Sequence, residues 1–423
     1  MMDELNTFSF IFLSALTLSV TVQWWLAQRQ INAVKHHTGA VPHAFQAKIS
    51  LADHQKAAQY TTAKVSLNQK LLLAEAFLLL VWTFGGLLNV IDGFWLQTHG
   101  PVLWMGVAVM LSVSLLNSVL ELPLNYYRTF NLEARFGFNR MDLKTFVLDI
   151  IKSLGLSLAL GVPFLALVLW LMQNAGVFWW LWVWLVWMGF SLLMMWAYPV
   201  FIAPLFNQFT PLAEGSLKTR IEALLQHNGF SSQGIFVMDG SKRSGHGNAY
   251  FTGFGHNKRI VFYDTLLAGL AEAEIEAVLA HEVGHFKRKH NHKMLVFMAV
   301  FSLAGLALLA WLMRQPWFYQ GLNINTQATY TALLLFMFVL PVFSVFLSPL
   351  MALLSRKHEF EADAFAAQQT DAQFLIQALV KMYQENASTL TPDPLYSAFY
   401  DSHPSAPVRI EHLTQLNYHT SGK

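Results

Sequence analysis

Residues 281–292 read HEVGHFKRKHNH and stand where an alanine- and glutamate-rich segment runs into a long apolar stretch. Residues four apart on an α-helix differ by about 40° in azimuth and stand one turn apart, so His281 and His285 project side by side and can offer imidazole nitrogens to one ion. Glu282 then lies within reach of a water on that ion rather than of the ion itself. This pattern suits hydrolysis at neutral pH, because zinc lowers the pKa of its water to about 7 and a neighbouring carboxylate can pass the remaining proton to a leaving amine.

The chain around the motif is greasy. Of 423 residues, 55% are hydrophobic and 12% charged, with 14 Trp and a mean hydropathy of +0.40, well outside the soluble globular range. A membrane protein is expected. A net charge of +2, with no long run of like charge, gives no support for a nucleic-acid partner. Cysteine is absent, which removes disulfides, thiol nucleophiles, thiolate ligands and thioester anchors, so any metal must be held by His, Asp or Glu. The first apolar stretch is too long, and its flank (Asp3, Glu4) too acidic, for a cleavable signal peptide, and reads as a retained anchor.

A helix needs about 20 apolar residues to cross roughly 30 Å of hydrocarbon. Seven stretches qualify, near residues 7–27, 71–95, 102–122, 150–172, 177–206, 294–313 and 330–354. Arg29, Lys35, Lys48, Lys56, Lys64 and Lys70 follow the first span, while the segment after the second carries no basic residue. Arg128, Arg135, Arg140 and Lys144 follow the third, none follows the fourth, the segment after the fifth is basic, Arg314 is alone after the sixth, and the tail is basic again. This alternation places the N-terminus outside, and the C-terminus and the opening motif in the cytoplasm.

Two polar segments matter, 207–293 and 355–423. In the first, SLKTRIEALLQHNGF has apolar residues at helical spacing and stops at Asn228-Gly229. GIFVMDG reads as a strand, two further strands near 249–254 and 259–263 are joined by a Gly-His-Asn turn, and a helical pattern covers 267–289. The expected architecture is an all-α polytopic membrane protein of about seven helices with a small α+β zinc metalloprotease cap. It divides into 1–206 (five spans), 207–293 (hairpin and motif), 294–354 (spans six and seven) and 355–423 (C-terminal protease segment).

A catalytic zinc wants a third protein ligand and an open fourth position. Glu359, in SRKHEFEADAF, is the best candidate. Asp363, one turn later on its face, can accept a hydrogen bond from a ligand imidazole's other nitrogen. Glu361 and His358 are competitors for the ligand position. His290 and His292 read as part of a basic, headgroup-level helix end with Lys287, Arg288 and Lys289. Spans six and seven form an out-and-back hairpin, so both motifs return to one membrane face.

On these residues the chain resembles the type I CAAX prenyl proteases, integral-membrane zinc endopeptidases acting on prenylated C-terminal peptides. Besides HEVGH and SRKHEFEADAF, the likeness runs through ELPLNYYRTFNLEARFGFNR, YPVFIAPLFNQFTPL, DGSKRSGHGNAYFTGFG and DSHPSAPVRIEHL, covering nearly the whole chain from the second span onward. The resemblance implies that His281, His285 and Glu359 hold one Zn2+ per chain, that Glu282 is the general acid/base and that Asp363 orients a ligand. It implies that Asn248, Ala249 and Tyr250 hold a substrate backbone by strand addition, and that His403 and Arg409 sit near the scissile carbonyl, where a donor stabilises the oxyanion. It also implies that the helices enclose a water-filled chamber, with which Asn117, Glu121, Asn125 and Lys152 at span ends accord.

The short connection between spans six and seven, and the lack of a C-terminal retention signal, favour a bacterial member in the inner membrane; a eukaryotic one would reside in the endoplasmic reticulum. In a cell without prenylation, quality control of membrane proteins would replace prenyl processing. The partners are then the bilayer and a peptide or protein substrate, prenylated or not. Two other classes compete: a seven-helix receptor or transporter with a structural metal, and a stress-response zinc protease with fewer spans.

Overall fold

The computed structural model describes residues 5–252 and 257–421. Among the described residues, seven helices are long and apolar enough to cross a membrane: Thr7–His36, Leu51–Trp82, Val102–Glu133, Leu143–Asn174, Gly176–Phe206, His290–Leu312 and Thr329–Gln369. Each expected span has its helix, but most helices outrun their apolar windows. Span two begins at Leu51, where the Ser50 hydroxyl accepts the Asp53 N–H at 3.1 Å, and its first turns are rich in Ala, Lys and Gln, good helix formers that hydropathy ignores.

The second apolar window is where the expectation needs correcting. The spanning helix stops at Trp82, the chain turns through Gly86 at φ 74°, and Leu87–Leu96 is a separate short helix. A left-handed φ costs glycine little, and a turn made of apolar residues is invisible to hydropathy. Span seven also passes the expected end near 354: after a tight turn at Val345–Leu347 the helix Ser348–Gln369 runs unbroken through Glu359. The membrane span and the second motif are thus one element, here called the return helix.

The largest apolar cluster gathers the start of span one (Phe12, Leu16), the end of span two (Trp82) and the start of span seven (Tyr330, Leu334), with the facing ends of the other spans. All of these lie at the membrane end away from the motifs. No span has more than 28% of its apolar window buried. The accessible surface of 21885 Å² exceeds the about 16,400 Å² expected of a compact chain of 47.9 kDa. The helices converge at one end and stand apart toward the other.

The cap carries a four-stranded sheet in the order β1-β2-β4-β3. β1 (Phe209–Pro211) runs antiparallel to β2 (Ser231–Met238), β2 parallel to β4 (Asn257–Tyr263), and β3 (Ala249–Thr252) antiparallel to β4 as a free edge. β1 was not legible in sequence, being three residues with a proline. Gly255 and His256 of the expected turn lie outside the described residues. The expected helix at 267–289 is two helices, Asp264–Gly269 and the motif helix Glu272–Lys287. Ile221, Leu225, Ile260, Phe262, Ile275 and Leu279 form the heart of the cap's own core.

The motif helix crosses the return helix very closely. A Cβ on Gly284 would meet the backbone of Ala362 and the Phe365 side chain at 3.1 Å. Gly284→Val should therefore push the helices apart, costing about 1–3 kcal/mol by overpacking and lowering zinc affinity at least ~10-fold through its ligands. Thermal unfolding in detergent, with and without zinc, checks this; a wild-type midpoint and zinc shift would refute it.

Candidate metal centre

The motif helix starts where the Glu274 carboxylate accepts the Ala271 N–H at 2.7 Å, and Lys381 donates to the same oxygen at 2.7 Å. It ends at Lys287, and Lys289, at a φ of 58°, separates it from span six, which starts at His290. Between these ends His281 is buried and His285 half-buried, both turned toward the buried Glu359 of the return helix.

The three side chains converge. His281 Nε2 lies 3.2 Å from His285 Nε2 and 3.4 Å from Glu359 Oε2, and His285 Nε2 lies 3.3 Å from Glu359 Oε1. Donors placed 2.0–2.1 Å from a tetrahedral zinc stand about 3.3–3.4 Å apart. Glu359 Oε2 is buried and accepts no hydrogen bond, the Arg409 guanidinium standing 3.4 Å off, so it keeps a lone pair for an ion. The donor set fits one zinc ion, and among the described residues it is the one His/Asp/Glu group so arranged.

Each histidine is oriented from behind. His281 Nδ1 donates to Asp363 Oδ1 at 2.8 Å, which leaves Nε2 as the ion-facing nitrogen. Arg409 grips Asp363 with both prongs, Nε to Oδ2 at 2.9 Å and Nη2 to Oδ1 at 2.5 Å, and its Nη1 is 3.4 Å from Glu359 Oε2. His285 Nδ1 meets His290 Nδ1 at 3.0 Å, and His290 Nε2 meets Glu361 Oε2 at 3.0 Å. Because the carboxylate can only accept, His290 donates from Nε2 and accepts at Nδ1, so His285 donates from Nδ1 and keeps Nε2 free.

His290 is therefore not solvated as the reading of a basic helix end implies; it is 3% exposed, stacked on His358 at 4.0 Å between ring centres. The left-handed Lys289, unreadable from sequence, turns it inward. The two rivals for the third ligand position are thereby placed: Glu361 is committed to His290, and His358 to the stack.

The remaining candidates fall around the group. Glu282 is half-exposed and makes no hydrogen bond or ion pair among the described residues. The His403 side chain is 63% exposed, with Nε2 3.4 Å from Glu359 Oε1 and Nδ1 2.9 Å from the Ser402 hydroxyl. Arg409 lies on the buried side, behind the ligands. Asn248 is exposed and accepts the Ala249 N–H at 2.8 Å, while Ala249 and Tyr250 open β3, pinned to the motif helix by Phe251 against Phe286 at 5.2 Å.

Burial and Arg409 both disfavour a charged His281, yet hydrogen bonds to Asp363 and Glu359 outweigh them and raise its pKa to about 9. Without metal the ring is imidazolium at neutral pH, and zinc must displace a proton. Binding at pH 7 should release about one proton per ion, a release that fades as pH rises through about 9. Calorimetry in buffers of different ionisation enthalpy measures it; no release at pH 7 would mean a neutral ring.

A family model described as CAAX prenyl protease N-terminal, five membrane helices, matches residues 30–208, and one described as Peptidase family M48 matches 211–417. The CAAX prenyl protease 1 homolog of Arabidopsis thaliana is 41% identical over 70% of this chain and 70% of its own. The Homo sapiens homolog is 30% identical over 97% of this chain and 96% of its own. The crystal structure of S. mikatae Ste24p superposes with a TM-score of 0.90 at 31% identity, covering 96% of this chain and 99% of that one. Relatives from plants, fungi and animals give the expected bacterial origin no support. With both halves matched and likeness along nearly its full length, the chain belongs to the CAAX prenyl protease family of M48 zinc metallopeptidases.

Proposed function

We propose that His281, His285 and Glu359 hold one zinc ion per chain, that Glu282 moves the protons of peptide hydrolysis, and that the substrate is a prenylated C-terminal CAAX-type peptide. The observation that carries this reading is the open side of the donor group. Three donors stand at tetrahedral spacing, the fourth direction holds no protein ligand among the described residues, and the accessible His403 borders the group. A structural site is normally closed by four protein ligands, so the receptor or transporter reading loses its footing.

Bound zinc would supply a Lewis acid that lowers the pKa of water and polarises the scissile carbonyl. The chain's own groups do the rest. The outer face of β3 offers unpaired backbone groups from Ala249 to Thr252, which hold an extended peptide whatever its side chains, with Asn248 and Tyr250 at the start of that edge. Glu282 accepts the proton of the attacking water and returns it to the leaving amine. His403, its ring steadied by Ser402, donates to the carbonyl oxygen as negative charge develops there. Arg409 holds Asp363, and Asp363 holds His281, so both act as positioning residues; Nε and Nη2 of Arg409 go to Asp363, and Nη1 stands 3.4 Å from Glu359 Oε2.

The four-part division at 206/207, 293/294 and 354/355 is retained as a functional one: membrane body, strand and motif segment, hairpin, and C-terminal segment. The surface in excess of a compact chain is read as the wall of a water-filled chamber, open where the spans stand apart. The active site faces the cytoplasm with the N-terminus outside, an orientation that tag accessibility at the two termini measures. The compartment is the endoplasmic reticulum membrane in a eukaryotic host and the inner membrane in a bacterial one.

Glu282→Gln should keep one equivalent of zinc and the wild-type melting temperature while kcat falls about 10²–10⁴-fold. Undiminished turnover would remove Glu282 from the mechanism. A farnesylated C-a-a-X peptide should be cleaved faster than its unprenylated twin, and a chelator should stop both reactions. Equal rates on the two peptides would make the protein a general membrane protease.

A further inference from the structure

A groove of about 460 Å³ lies between span six and the return helix, with none of the zinc ligands in its lining. Its walls are built by two stripes. On span six, Met294, Phe297 and Phe301 recur at spacings of three and four residues, a single helical face. On the return helix Met351 and Ser355 stand one turn apart in the same way. Phe297 and Phe301 line this groove and are each more than a third exposed, so their rings are available to an apolar ligand.

Both stripes begin at the metal group. Met351, Ser355 and Glu359 are successive turns of one helix face, so the groove starts one turn, about 6 Å, from a proposed zinc ligand. Met294 is likewise one turn beyond His290, which orients His285. The His290–His358 stack bridges the two helices at the cap end, with the groove beyond it. Tyr400 and Ser402 line this groove and also the polar cavity of about 400 Å³ that contains His403. The two spaces therefore adjoin at Tyr400 and Ser402, one of mixed lining beside His403, the other apolar and running along the membrane helices.

We propose that this groove is the subsite for the isoprenoid chain of the substrate. The inference rests on the prenyl-peptide reading above. In a C-a-a-X peptide the isoprenoid hangs from the cysteine, with three residues beyond it. Any bond cut within that tail lies within about 10 Å of the cysteine, since extended chain spans at most about 3.3–3.6 Å per residue. A lipid chain attached so near the scissile bond must enter an apolar space adjoining the site, and the Met/Phe-lined groove adjoins it with a volume in the about 300–1,000 Å³ range of small-ligand sites. Methionine and phenylalanine are adaptable partners for a branched, unsaturated chain. A bilayer acyl chain has no such tie to the site, because nothing requires it to reach Ser355 or Tyr400.

Two measurements on the full-length protein in lipid nanodiscs decide the matter. A C-a-a-X peptide whose isoprenoid carries a diazirine should label residues 294–301 and 344–355 on irradiation, and farnesylated but not unprenylated peptide should suppress the labelling. Met351→Trp, which fills the groove, should reduce the ratio of kcat/KM for farnesylated over unprenylated peptide by about 10-fold, the scale of an apolar-pocket contact. Labelling elsewhere, or a ratio unmoved by Met351→Trp while wild type prefers the farnesylated peptide, overturns the groove assignment alone. Labelling of the groove by a diazirine phospholipid that farnesylated peptide cannot displace also overturns it, making the groove a bilayer site. A wild-type ratio of one overturns the prenyl-peptide reading itself, and the groove assignment with it.

Discussion

The closeness of two helices at Gly284 and Ala362 is the constraint on which the rest depends. Imidazole and carboxylate side chains have fixed reach, so donors from separate helices come within 3.2–3.4 Å of one another only if the backbones almost touch. A residue without a side chain at the crossing permits this, and the position just before the second histidine, residue 284, is glycine. The crossing also places charge in a buried setting. Glu359 and Asp363 sit beside Arg409, all three buried, and a buried pair of this kind is weak evidence of net stabilisation. Its value is geometric, because the two-pronged Arg409–Asp363 contact fixes a carboxylate that fixes an imidazole.

The membrane hairpin makes the crossing possible. Span six leaves the motif helix after one kink at Lys289, and the return helix carries span seven straight into Glu359. A chain that crosses the bilayer and comes back delivers its second motif to the starting face without a long soluble linker. The cost is that the two motifs lie 74 residues apart (359 minus 285), and only the fold joins them.

Legibility follows from this arrangement. The seven spans could be read because hydropathy encodes burial in lipid directly, while their ends could not, because the polar turns at Leu51 and beyond Leu354 are held by helix propensity and packing. The His-Glu-x-x-His pair was readable because helical periodicity is local. Choosing Glu359 over Glu361 was partly readable: residues two apart point about 200° away from each other, so only one of them could share a face with Asp363. His290 was misread because one residue in a left-handed conformation re-aimed it. The side of the site taken by Arg409 was also beyond reach, since it is set by a helix that begins at Ala406 and packs on Asp363 from behind.

Cohesion is unevenly distributed through the molecule, and the unevenness suits hydrolysis inside a membrane. The large apolar cluster joins the helix ends farthest from the cap, where Asp92 accepts hydrogen bonds from Tyr330 at 2.6 Å and Thr326 at 2.5 Å, tying span seven to the short helix after span two. Toward the cap the packing shrinks to small clusters, such as Val41, Phe45 and Ile49 against Val380 and Leu390, and polar ties join them: Arg243 grips Asp149 with two bonds at 2.8 and 2.9 Å, and Arg29 pairs with Asp393 at 2.9 Å. A peptidase needs water and a peptide at its metal, neither of which enters close-packed apolar side chains. Anchoring the bundle at one end, and holding the cap to the other by small apolar clusters and directed polar contacts, keeps the ligands in register while leaving space between the helices.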